Sequence, residues 1–338
     1  MDIISLATDL SLPVLFMLIG IVLLVKGGDW TVNSSVFVAR HFGLPPLIVG
    51  FTILAFGTSL PELIVSILAV IRGSAGIAMG NVIGSNIANI LLVIGTAAFF
   101  INFKIKLSTT LIRDNIMMLF CSVLLLAFMF FGGVPRLAGA IMIALLISYI
   151  AIQYYMATKD EALSKELEDE INEIEEHEAE ASSKQFMPYL LLILGLASVA
   201  GGAEFLVRGA KESALIIGVP EAVIALSIIA CGTSLPELST SIIAAKKGHT
   251  DMVIGNIIGS NVFNILMIIG ATALVRPILA ANYAPQLFDF DIWVMLGISV
   301  LFTALIFALK GINKLTAGIF IAGYLLYNIY IYAMYIGA

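Results

Sequence analysis

Ten runs of twenty or more predominantly apolar residues make up almost all of this 338-residue chain. They lie at about 12–33, 44–72, 77–101, 112–131, 134–156, 187–210, 219–245, 252–274, 290–309 and 314–336. A helix needs ~20 such residues to cross the hydrocarbon core of a bilayer. A backbone inside lipid must also satisfy its own hydrogen bonds, which a helix does. Composition agrees. The chain is 60% apolar and only 12% charged, against about 25% charged in soluble domains. This excludes a soluble enzyme, a disordered chain and a nucleic-acid binder. The alternating pattern of a membrane barrel is absent.

The polar residues punctuate this pattern. The N-terminus, MDIISLATDL, lacks the basic start of a cleaved signal peptide, so the first run is expected to be a retained span. The one long polar stretch, 157–186, holds eleven of the 23 acids, between Asp160 and Glu180. It has no D-x-D-x-D-G calcium loop and reads as a solvated connection. With the N-terminus outside, eleven of the Lys and Arg residues fall in inner loops and five outside. The positive-inside rule then predicts both termini outside and loop 157–186 in the cytoplasm. Cys121 and Cys231 sit in apolar runs and read as small buried hydrophobes. His41, His177 and His249 are scattered and make no metal site. Lys26 with Asp29, and Glu204 with Arg208, have spacings suited to local ion pairs. The aromatic residues of YLLYNIYIYAMY suit an interfacial belt.

The chain also repeats itself. Phe56–Leu63, FGTSLPEL, recurs as CGTSLPEL at Cys231–Leu238, and Gly80–Leu91, GNVIGSNIANIL, recurs as GNIIGSNVFNIL at Gly255–Leu266. Both offsets are 175, which also carries Gly27 onto Gly202, Asp29 onto Glu204 and Pro45 onto Pro220. Each half holds five spans. An odd number inverts the second copy, an architecture of secondary transporters with the site at the midplane. The sequence thus predicts an all-α membrane protein of ten transmembrane helices in two inverted five-helix repeats. The repeats are 1–156 and 187–338, with motifs at about 50–96 and 221–271.

The repeated motifs carry chemistry unusual at membrane depth. Pro61 and Pro236 remove the helical bonds to Gly57 and Gly232. Nearby carbonyls, including those of Ala55, Thr58, Ala230 and Thr233, then become available to a ligand. A carboxylate at the bilayer centre costs at least ~2.5–3.5 kcal/mol on insertion scales and marks function; Glu62 and Glu237 form a symmetric pair of them. Asn81, Ser85 and Asn89 fall on one helix face, as do Asn256, Ser260 and Asn264. The donor set is all oxygen, which suits hard cations such as calcium. Two carboxylates can be neutralised by one divalent ion or two monovalent ions, but not by both together. Competition at such a site couples opposed fluxes.

GTSLPEL followed by GN-x-x-GSN-x-x-N, twice, resembles the paired alpha-repeats of the cation/calcium antiporter superfamily, and within it the prokaryotic sodium/calcium exchangers. The resemblance implies ion sites where the second, third, seventh and eighth helices cross. It implies a calcium site of Glu62, Glu237 and the carbonyls of Thr58 and Thr233. Sodium sites would add Ser59, Ser85, Ser234, Ser260 and the carbonyls of Ala55 and Ala230, with Asn89 and Asn264 at the centre. Some relatives carry Asp at the position of Asn264, an acid linked to potassium in potassium-dependent exchangers; Asn here argues against potassium coupling.

The expected function is secondary antiport of calcium against sodium across the plasma membrane by alternating access. No enzyme activity, cofactor, nucleic acid or obligate protein partner is expected; the partners are the two ions and the bilayer. A calcium/proton antiporter and a calcium-permeable channel stay open as alternatives. An intramembrane hydrolase is disfavoured, because the chain has no G-x-S-x-G elbow and no zinc-ligand spacing.

Overall fold

A computed structural model describes residues 3–157, 186–217 and 232–336. The acidic stretch 158–185 and the opening of the seventh apolar run, with Pro220, Ala230 and Cys231, lie outside the described residues. Among the described residues, eight helices are long and apolar enough to cross a membrane, or nine if the bent pair Pro46–Thr58 and Leu60–Ile71 forms one span. The first helix, Ile3–His41, is longer than its apolar run.

Two helices form the centre. In Thr250–Phe263 every residue from Met252 to Phe263 is buried, and Ala75–Ala88 is nearly as enclosed. Their faces carry Gly, Asn and Ser, which let neighbouring backbones come close. The peripheral helices expose Leu15, Leu18 and Val22, or Ile319 and Leu326, as lipid-facing surfaces should.

The 175-residue offset reappears in the packing. Helices Ile3–His41 and Met187–Ile216 cross at glycines. A Cβ on Gly20 would lie 2.7 Å from the Gly202 carbonyl oxygen, and one on Gly195 would lie 2.9 Å from that of Gly27. These two contacts are the same contact moved by 175 residues. Four two-residue strands repeat the pattern. β1 (Phe103–Lys104) pairs with β4 (Gly311–Ile312), and β2 (Gly133–Val134) pairs with β3 (Ile278–Leu279). Helix Thr109–Phe130, 22 residues or about 33 Å long, lies between β1 and β2. The two small sheets therefore sit at opposite ends of the bundle.

Two features depart from the sequence reading. Asp29 pairs with Lys247, not Lys26, and Arg208 pairs with Glu212 at 2.9 Å, not Glu204. Sequence spacing favours i,i+3 and i,i+4 partners, but here a cross-repeat contact and a different i,i+4 acid take them. Among the described residues, four π-helical segments, Gly50–Leu54, Asn89–Ile94, Asn264–Ile269 and Leu287–Asp291, interrupt or open the helices. Such bulges recur at functional sites and leave no simple signal in sequence.

The close helix crossing yields a test on two adjacent glycines. A Cβ on Gly202 would lie 2.8 Å from the Leu24 backbone nitrogen, whereas one on Gly201 meets nothing within 4 Å. Gly202→Ala should lower thermal stability, by about 1–3 kcal/mol of overpacking. Gly201→Ala should be neutral or stabilising, since alanine favours helix by ~1 kcal/mol. Melting of the detergent-solubilised protein distinguishes the two.

Candidate ion-binding site

The helix break falls at Ser59, where φ is −84° and ψ is 2°. Helix Ala55–Thr58 ends there and Leu60–Ile71 begins, with a 43° bend between Pro46–Thr58 and Leu60–Ile71. Pro61 sits in the first turn of the second piece, where its missing N–H costs nothing. Ser234 takes the same conformation, φ −86° and ψ 2°, ahead of Leu235–Lys246. Each break aims a glutamate inward from the first turn of a helix. Glu62 and Glu237 are 1% and 0% exposed, and Glu62 lies within reach of the charge of Glu237. Ser59 Oγ donates to Glu237 Oε1 across the repeats at 3.4 Å.

Not every expected carbonyl is free. The Ala55 oxygen already accepts from Ser59 N–H at 3.1 Å and from Thr58 Oγ1 at 3.4 Å. It keeps its helical partner because the proline acts two residues further along. Ala230, its mate, lies outside the described residues.

A second set of polar side chains faces the acids. Asn89 Nδ2 donates to Asn261 Oδ1 at 3.1 Å, and Asn264 Nδ2 donates to Asn86 Oδ1 at 3.0 Å. Asn86 and Asn261 also donate to the sulfurs of Met295 and Met118. The two methionines are unforeseen in sequence; thioethers are weak acceptors without a motif. Asn81 and Asn256 turn away to Ser66 and Ser241. The face expected to present Asn81, Ser85 and Asn89 together is therefore divided: Asn81 braces the neighbouring helix, while Ser85 and Asn89 remain central.

These bonds tie up the amide nitrogens and leave oxygens over. Glu62 Oε2, Glu237 Oε2, Asn89 Oδ1, Asn264 Oδ1, Ser234 Oγ and Ser260 Oγ are buried with no hydrogen-bond partner. Buried polar atoms are nearly always bonded, so each exception asks for an explanation. Four of these six uncommitted oxygens fall in two repeat-related pairs, Glu62 with Glu237 and Asn89 with Asn264, and the other two are serines of the second repeat; all are of the donor type a hard cation takes.

A cavity opens on one face of the bundle. It has a volume of about 810 Å³ and runs from the helix ends at Ser74 and Tyr283 inward to Ser85 and Thr233. Among the described residues, a Cβ at Gly84 on this side would meet nothing within 4 Å, and one at Gly80 would first meet Leu287 at 3.7 Å; residues 222–226, the repeat mates of 47–51, lie outside the described residues. The mates of Gly84 and Gly80 are sealed: a Cβ on Gly259 would lie 2.3 Å from the Phe51 oxygen, and one on Gly255 2.2 Å from the Leu47 oxygen. Phe51 packs on Tyr149 and Phe263 at ring distances of 5.7 and 6.3 Å. Nearly identical motifs thus border a cavity on one side and close packing on the other, among the described residues.

Residues 12–155 and 187–333 match the family model described as sodium/calcium exchanger protein. The chain belongs to the sodium/calcium exchanger family. It is 32% identical to the sodium/calcium exchanger MaX1 of Methanosarcina acetivorans over 315 residues, 85% of this chain and 89% of that one. It is 34% identical over 291 residues to the inner membrane protein YrbG of Escherichia coli, covering 86% and 87%. Among solved structures it resembles the sodium-calcium exchanger NCX_Mj soaked with 10 mM Na⁺ and zero Ca²⁺, with a TM-score of 0.78, 32% identity, and 94% of this chain and 98% of that one covered. The protein is therefore a multi-pass membrane antiporter of an exchanger family, not a member of a catalytic enzyme family.

The asparagine lattice of this exchanger gives a further test. Asn86→Ala removes the acceptor for Asn264 and strands a buried amide, which should cost about 1–3 kcal/mol. Asn81→Ala, on the brace beside it, keeps that amide paired. Melting of the Asn86→Ala protein should fall while the Asn264→Ala, Asn86→Ala double variant falls by less than the sum of the singles. Additive losses would show the two side chains to be uncoupled.

Proposed function

We propose that this protein extrudes cytosolic calcium in exchange for entering sodium, by alternating access at a single site built on Glu62 and Glu237. The observation that carries this reading is the set of six buried oxygens without hydrogen-bond partners, with the repeat-related pairs Glu62–Glu237 and Asn89–Asn264 among them. In this reading Glu62, Glu237 and the carbonyls of Thr58 and Thr233 hold calcium. Ser59, Ser85, Ser234, Ser260 and the Ala55 and Ala230 carbonyls serve sodium. Asn89 and Asn264 offer their oxygens at the centre, with their nitrogens held by Asn261 and Asn86.

Charge supplies the coupling. Two carboxylates carry a formal −2, balanced by one calcium or two sodium ions. An ion pair about 4 Å apart is worth ~4 kcal/mol at an effective dielectric of 20, so leaving both acids bare and buried is costly. The carrier then crosses between states with one load or the other, and the empty crossing that would uncouple the fluxes is suppressed.

The one-sided cavity supports alternating access. Matching residues border both paths, so exchanging the roles of the two repeats would close the first and open the second. The crosswise strand pairs at opposite bundle ends, and the two glycine contacts related by 175 residues, support ten helices in two inverted repeats, 1–156 and 187–338. Basic-residue counts support termini outside, loop 157–186 in the cytoplasm, and the open cavity toward the exterior of the plasma membrane.

Calcium uptake into inside-out vesicles tests the exchange. An opposing sodium gradient should drive it, and a pH gradient should not; the reverse result would assign the protein to calcium/proton antiport. Glu62→Gln and Glu237→Gln should each abolish uptake, and normal transport in either would remove the site assignment. Calcium at 100 times its Kd should also stabilise the purified protein by ~2.7 kcal/mol, a shift that Glu62→Gln should lose.

A further inference from the structure

The inverted relationship extends to a pair of acids outside the central site. Two extra residues follow β3, so the offset becomes 177 in the fourth span of each half, as the Met118–Met295 pair attests. It carries Asp114 onto Asp291. The fifth spans then relate Tyr149 to Tyr327, and both tyrosines donate to their aspartate, at 2.6 and 3.0 Å. Each acid also accepts from a glutamine: Gln153 at 2.9 Å, and Gln286 at 3.4 Å.

The two acids differ in charge balance. Asp114 is fully buried on the sealed side and ion-paired with Arg113 at 3.0 Å. The residue 177 positions after Arg113 is Phe290, whose ring packs on Tyr330 at 4.6 Å. Among the described residues Asp291 has no ion-pair partner. It is 4% exposed, yet it lines the open cavity and, among the described residues, is the one charged residue that does so. Arg276 approaches the same end of the bundle beside Gly73 but does not line the cavity.

We propose that Asp291 is the cation-capturing residue of the open vestibule, and that Arg113, by neutralising the repeat-related Asp114, confines this capture to one face. An uncompensated carboxylate in a low-dielectric funnel raises the local cation concentration. Tyr327 and Gln286 hold it by donating to it, which leaves its charge in place. A cation passing Tyr283 meets this charge before it reaches Ser85 and Thr233. The assignment rests on the exchanger reading for the identity of the ions but not for the field itself.

The test separates the two. Asn282 lines the cavity, so Asn282→Cys in the full-length protein reports the field there. Its rates with trimethylammonioethyl and sulfonatoethyl methanethiosulfonate, corrected for the native cysteines, should favour the cationic reagent. Asp291→Asn should lower that preference about threefold to tenfold, and Asp291→Glu should retain it. In vesicles presenting this face, Asp291→Asn should raise the KM for calcium with kcat kept, and added choline chloride should shrink the difference. An unchanged reagent preference, or a loss of kcat with constant KM, would overturn the proposal. A wild-type protein that moves no calcium, but whose reagent preference falls with Asp291→Asn, would refute the exchanger reading and leave the vestibule assignment standing.

Discussion

Two carboxylates facing each other inside a membrane protein constrain everything around them. Each is costly to bury alone, and together they repel. The fold answers with oxygen rather than with a counter-ion: no Lys or Arg ion-pairs with Glu62 or Glu237 among the described residues. A cationic side chain would stabilise the resting protein and abolish its use for cation. The helix breaks at Ser59 and Ser234, the small residues along the central helices and the asparagine lattice all keep this unbalanced pair enclosed but accessible.

The lattice shows how a polar interior is kept specific. An amide brings two donors and one acceptor group. Asn86 and Asn261 consume the donors of Asn264 and Asn89, and Met295 and Met118 accept from Asn86 and Asn261 in turn. Donors would repel a cation; their removal inward leaves oxygens as the exposed chemistry. The same arithmetic explains why serine and asparagine, rather than more acids, complete the shell. Additional carboxylates would raise the burial cost faster than they improved selectivity.

Symmetry and its violation divide the labour. Repeat-related asparagines make the same bonds at the centre, and repeat-related residues do so in the glycine crossing and the strand pairs. They differ where access differs. Gly84 borders open space while Gly259 is pressed on Phe51, and Asp291 faces a cavity while Asp114 is paired with Arg113. A structure symmetric in composition but asymmetric in packing is what a two-state carrier requires.

Much of this was legible in the sequence, because the signals are local and chemical. Ten apolar runs dictate helices, since lipid offers the backbone no partner. A duplication that is gapless over its motifs, with an odd number of apolar runs per copy, predicts inversion. Proline followed by glutamate at membrane depth marks the bent site, and the break indeed falls beside Pro61. What sequence could not supply depends on which surfaces meet. The π-helical segments, the sulfur acceptors Met118 and Met295, the retained helical bond of Ala55 and the long-range pairing of Asp29 with Lys247 all arise from contacts across the repeats. So does the difference between the two faces: the two motifs are nearly identical as text, and the packing of Phe51 and Leu47 against Gly259 and Gly255 is a tertiary contact that the text of either motif does not contain.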